Sequence, residues 1–109
     1  MINVTFTESG KKLSLRIEGH AGYDEIGKDI ICASASILAL TVAQFVMETE
    51  HHGDLKSPAE VRLESGDTYI SCEPSEEMWC GVQNMYSFAM IGYAILEHNY
   101  PQYVRLIKS

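Results

Sequence analysis

Gly19-His20-Ala21-Gly22-Tyr23-Asp24-Glu25-Ile26-Gly27-Lys28-Asp29-Ile30-Ile31-Cys32-Ala33-Ser34-Ala35-Ser36 joins a strand pattern to a long uncharged apolar run. The strand ends at Gly19, a glycine-spaced loop carries the chain from His20 to Lys28, and a helix begins at Asp29. Asp29 suits the N-cap because its carboxylate can accept from the unpaired backbone N–H groups two and three residues on. Cys32 then becomes the third helical residue, at the positive end of the helix dipole, where a thiolate is favoured. His20 stands across a loop flexible enough to fold it back onto the sulfur. Thiol, imidazole and capped helix together point to a Cys–His pair for nucleophilic chemistry. Ser36 follows Cys32 by one helical turn and shares its face.

Working outward, Ile2, Val4 and Phe6 alternate with Asn3, Thr5 and Thr7, the period of a half-buried strand. Residues 8–11 read as a turn, and Leu13, Leu15 and Ile17 continue as a second strand. By parity Gly19 shares the face of Leu13 and Ile17, and His20 takes the other. Residues 30–47 carry no charge. That run reaches the lower edge of membrane-spanning length, about 17–25 residues, but Ser34, Ser36, Thr41 and Gln44 interrupt it, so a buried core helix is expected. It ends at 48–53, with two histidines and then Gly53 in the stop position. Val61 and Leu63, then 68–72, give a second hairpin. Ser75 is the expected cap of a second helix, with Glu76 and Glu77 in its first turn and Met78, Val82, Met85, Ala89, Gly92 and Leu96 as its core stripe. That helix also carries Trp79, Tyr86, Phe88, Ile91, Tyr93 and Ile95, more apolar surface than one face requires, which suggests a second buried surface. A strand at 103–107 closes the chain. The order is ββαββαβ: an α+β fold in one domain, residues 1–109, with an antiparallel-rich sheet and two helices.

Composition narrows the partners. Eight Lys and Arg against fifteen Asp and Glu leave a net charge of −7, which disfavours direct nucleic-acid binding and suits a basic partner. The first residues show neither a charged leader nor an apolar region, and the three cysteines have no pairing motif. Both features fit reduced thiols in a cytoplasmic protein outside any membrane. No cofactor is called for, and Cys72, Cys80, His51, His52 and His98 lack the paired spacings of a metal site. Cys72 and Cys80 are expected to be packing residues. A thiol phosphatase needs Arg six residues after the Cys, where this chain has Leu38. The loop 22–28 matches the phosphate-binding Gly-x-x-x-x-Gly-Lys, but Asp29 replaces the Ser or Thr that holds magnesium, and Asp24 and Glu25 place negative charge in the cradle.

Gly19-His20-Ala21-Gly22, followed by Gly27-Lys28-Asp29-Ile30-Ile31-Cys32-Ala33 with Ser36 beyond, resembles the signature of the Prp family of ribosomal-processing cysteine proteases. Ile31 in place of Val is the departure in the core motif. The resemblance covers the whole chain. It implies a homodimer and removal of an N-terminal extension from a large-subunit ribosomal protein. By position it implies His20 and Cys32 as the catalytic dyad and Gly19, Asp29 and Ser36 as supporting positions. The loop bounded by Gly22 and Gly27, with Tyr23 inside it, is expected to be a mobile gate, and the free dyad to lack a strong hydrogen bond. Helix-start N–H groups are the expected oxyanion donors. Two other readings stand beside this one: a non-catalytic dimeric assembly module for a basic ribosomal protein, and a phosphate-binding domain.

Overall fold

A computed structural model of the chain describes residues 1–24 and 29–108. Strands β1 (Ile2–Ser9) and β2 (Lys12–Glu18) precede helix α1 (Ile30–His51). Strands β3 (Glu60–Glu64) and β4 (Asp67–Cys72) precede helix α2 (Trp79–Asn99), and β5 (Val104–Ile107) ends the order. The five strands form one sheet in the order β3-β4-β2-β1-β5. Every pairing is antiparallel except β1 with β5. The α+β class and the ββαββαβ order read from the sequence are therefore those of the structure.

The alternation of apolar side chains sets the core. Ile2, Val4, Leu13, Leu15, Ile17, Ile70, Cys72 and Val104 are buried together with the inward faces of both helices. The first hairpin is tighter than its sequence suggests: Ser9 pairs with Lys12, leaving a two-residue turn in which Gly10 has φ +63°. That left-handed backbone is cheap only for glycine, so the turn shrinks and both strands lengthen. Gly53, with φ +78°, lies just past the end of α1, as expected.

Helix α1 is long and apolar enough to span a membrane by length and composition alone. Its Ile31, Ala35, Ala39, Val42, Ala43 and Val46 nevertheless pack into the core. The opposite side leaves Ile30, Ile37, Leu40 and Met47 exposed, so the helix is half covered rather than fully enclosed. Helix α2 departs further from expectation. Residues 76–78 form a separate turn and the helix starts at Trp79 with no side-chain cap, so Ser75, Glu76 and Glu77 precede it. The cause is tertiary: Pro74 bridges to Leu55 and the Ser75 N–H donates to the Asp54 carbonyl at 2.9 Å, holding this segment against the loop after α1. Cys72 is buried as expected, whereas Cys80 is exposed.

The buried stripe of α2 is Val82, Tyr86, Tyr93 and Leu96, with Met85 and Ala89 only partly covered. The tyrosines enter the core because their hydroxyls find partners. Tyr93 donates to the Ala35 carbonyl at 2.9 Å and Tyr86 to the Ile70 carbonyl at 3.2 Å. Each such buried bond is worth about 1 kcal/mol net, and burial holds both phenols protonated. Gly92 is a notch, not a filler: a Cβ there would lie 2.8 Å from the Leu38 side chain, so its absence lets α1 and α2 approach. At the far edge of the sheet, the Glu97 carboxylate accepts the Leu106 N–H at 2.7 Å.

Candidate active site

Gly19 ends β2 with φ +93°, and a Cβ there would strike the Met1 carbonyl oxygen. Only glycine lets β1 start so close to this turn. The Gly19 N–H donates to the Gly66 carbonyl at 2.9 Å, tying the turn to the tip of the β3–β4 hairpin. The Met1 nitrogen donates to the His20 carbonyl. The left-handed Gly19 breaks the strand's alternation. His20 therefore does not simply take the face opposite Ile17, as parity predicts; both line one cleft.

That cleft has a volume of about 460 Å³ and lies between the start of α1 and the β3–β4 hairpin. Gly19, His20, Gly22, Asp29, Cys32 and Ser36 all line it. Six positions singled out from the sequence are thus brought together. Tyr23 is not among the lining residues, and Gly27 lies outside the described residues, as do Glu25, Ile26 and Lys28. The opposite wall is residues 64–68. Ser65-Gly66-Asp67 has the composition of an ordinary turn, and nothing local marks a hairpin that reaches the site from more than thirty residues away.

Asp29 caps α1 in the expected way. Its Oδ1 accepts the Ile31 and Cys32 N–H groups, each at 2.9 Å. Its Oδ2 accepts the Tyr23 N–H at 3.0 Å and the Asp24 N–H at 3.4 Å. One carboxylate thus ties the start of the helix that carries Cys32 to Tyr23 and Asp24. Burial raises the Asp29 pKa, but the four backbone donors outweigh it and hold the group below its ordinary value.

Three of the helix-start N–H groups expected as oxyanion donors already have partners. Those of Ile31 and Cys32 are taken by Asp29, and that of Ala33 by the Asp29 carbonyl at 3.0 Å. The expectation that Tyr23 lacks an anchor also changes. Its ring meets Tyr103 edge-on at 5.3 Å and Tyr100 at 6.2 Å, so this end of the loop is pinned to the turn before β5.

Cys32 is partly buried, and its Sγ accepts the Ala21 N–H at 3.4 Å. Among the described residues no hydrogen bond joins His20 to Cys32. The imidazole rests on Gly66 instead: a Cβ at Gly66, where φ is +74°, would lie 2.7 Å from His20 Nε2. A thiol and an imidazole line one open cleft, an arrangement suited to acyl transfer.

A thiol and an imidazole on one cleft suit the class of a cysteine protease, and comparison with known proteins agrees with that class. The family model described as cysteine protease Prp matches residues 1–105. The chain belongs to that family. Its fold is that of the essential ribosomal processing protease Prp from Staphylococcus aureus in complex with a covalently linked product peptide, with TM-score 0.78, 21% identity and full coverage of both chains. The same enzyme with a substrate peptide gives TM-score 0.69 and 19% identity, again over both whole chains. The Streptococcus mutans protein SMU.848 is 27% identical with TM-score 0.66, over 99% of this chain and 93% of that one. The curated proteins give no significant match.

Proposed function

We propose that this protease removes an N-terminal extension from a large-subunit ribosomal protein in the cytoplasm, with Cys32 as nucleophile and His20 as its acid–base partner. The observation that carries the reading is the convergence of His20 and Cys32 on one cleft. The S. aureus relative is described as a ribosomal processing protease, which supports the substrate class. In the reaction, His20 takes the thiol proton and the sulfur attacks the scissile carbonyl carbon. The S–C bond forms as the carbonyl π pair moves to oxygen. Collapse breaks the C–N bond while His20 protonates the departing amine, and water then hydrolyses the thioester. The net charge of −7 favours capture of a cationic chain. The test is incubation with the organism's own extended ribosomal protein followed by intact-mass analysis. A single truncation is expected, and an uncut protein would refute the reading.

Gly66 gives a geometric check in the same assay. Gly66→Ala is expected to push the imidazole aside and to lower kcat/KM by about 10–100-fold, with about 1–2 kcal/mol of backbone strain. Kinetics and melting measured together read both effects; unchanged kcat/KM would mean that His20 does not act from this position.

The protein works as a homodimer through the apolar face of its helices. Phe88 (76% exposed), Ile91 (57%) and Ile95 (56%) form one stripe of α2, and Ile37 and Leu40 are exposed on α1. Stripes of this kind are ordinarily covered. Ile91→Glu should yield monomers in sedimentation, and an unchanged sedimenting species would exclude this face.

A further inference from the structure

Resting on the reading above, we infer that the backbone N–H of Ala21 is the donor that stabilises negative charge in this site, first on the Cys32 sulfur and then on the carbonyl oxygen. Three of the neighbouring N–H groups already have partners. A nucleophilic cysteine at a helix start would ordinarily use its own N–H and its neighbours' for developing charge. Here Asp29 Oδ1 holds the Ile31 and Cys32 N–H groups at 2.9 Å, and the Ala33 N–H closes the first helical turn. The Asp29 carboxylate also places a full negative charge beside the first turn, offsetting the positive end of the dipole. These three N–H groups are therefore already engaged.

Ala21 points the other way. Its N–H is directed at Cys32 Sγ, 3.4 Å away, while its methyl group is buried in the core. A small apolar side chain packed beneath the turn fixes the peptide plane, so the donor is oriented before the reaction begins. Gly19, with φ +93°, and Gly22, with φ +71°, bracket it. They give the chain the sharp path that turns this peptide inward. During attack the sulfur's electron pair enters the S–C bond and the sulfur weakens as an acceptor. The new oxyanion stands two bonds from that sulfur, within reach of the same N–H. No atom need move far between the two states, which is the condition for preorganised stabilisation.

The N–H can be deleted without touching a side chain. Replacing Ala21 with lactic acid turns the 20–21 amide into an ester and keeps the methyl group. In a Cys80→Ser background, which removes the exposed thiol, iodoacetamide labelling of Cys32 at neutral pH is expected to slow. Turnover of the ribosomal precursor should fall about 10²–10³-fold, the usual cost of one oxyanion donor, in kcat more than in KM. Wild-type labelling and kcat in a folded ester protein would overturn the inference.

A second measurement needs no variant. In amide NMR spectra of the wild-type chain bearing a peptide-aldehyde adduct on Cys32, the Ala21 amide proton is expected to move strongly downfield. Those of Ile31 and Cys32, held on Asp29, should stay in place. A Cys32 shift with an unmoved Ala21 would assign the donor to the helix and reject Ala21. The protease reading is judged separately, by whether the wild-type enzyme cuts the ribosomal precursor.

Discussion

Cys32→Ser folds, melts near the wild-type temperature, and leaves the extended ribosomal protein uncut, with turnover lowered by about 10⁴-fold or more. The fold should persist because the substitution is nearly isosteric and Cys32 is only partly buried, with one weak backbone donor on its sulfur. Chemistry should vanish because a serine hydroxyl does not ionise near neutral pH, and no hydrogen bond to His20 is in place to activate it. The other thiols separate cleanly. Cys80→Ser, at an exposed position, should change neither stability nor rate. Cys72→Ser should keep the chemistry and lose stability, because Cys72 is buried against the Tyr86 hydroxyl at 3.7 Å. Intact-mass assays and melting curves on the three variants test this; substantial cleavage by Cys32→Ser would reject the nucleophile.

The second large effect belongs to Asp29, where two substitutions divide its two tasks. Asp29→Ala removes the cap and the loop attachment together, and loss of a cap alone costs about 0.5–2 kcal/mol. Asp29→Asn can keep its amide oxygen on the Ile31 and Cys32 N–H groups, but its NH₂ then faces the Tyr23 and Asp24 N–H groups, donor against donor. Asn should therefore melt above Ala yet lose turnover almost as severely, by about 10–100-fold, because the Tyr23 and Asp24 N–H groups lose their acceptor. An Asn variant with wild-type kcat/KM would mean that capping is the carboxylate's one role.

The pH dependence has a definite sign. Asp29 sits below its ordinary value of 3.8, despite burial that pushes upward, because four backbone donors favour the ionised form. Its contribution to stability is thus present above that value and fades as pH falls through the folded-state pKa. The gap in Tm between wild type and Asp29→Asn should narrow in acid; a gap constant down to strongly acidic pH would contradict the linkage.

Much of this was legible in the sequence, for reasons that are local. Alternation in β1 and β2, the uncharged run of α1, and Asp29 placed three residues before Cys32 are short-range signals, and each survived into the structure. What could not be read depends on distant parts of the chain. Ser75 loses its role as a cap because Pro74 and Ser75 are held by Leu55 and Asp54. Tyr86 and Tyr93 move into the core because carbonyls of β4 and α1 await their hydroxyls. His20 shares the cleft with the core-facing Ile17 because one left-handed glycine breaks strand parity, and its seat on Gly66 is visible only once the β3–β4 hairpin is placed. Six of the expected site positions line the cleft, and the N–H on the Cys32 sulfur comes from Ala21, a position not singled out beforehand.

The carboxylate of Glu97 on the Leu106 N–H has a bearing on traffic around the enzyme. An outer strand with bare amides invites any extended polypeptide to zip alongside it. A protease meets extended polypeptides constantly, and so would be prone to holding them unproductively at such an edge. At β5 the inviting amide is already occupied by the protein's own side chain. Extended polypeptides are thereby discouraged from adding to this edge of the sheet.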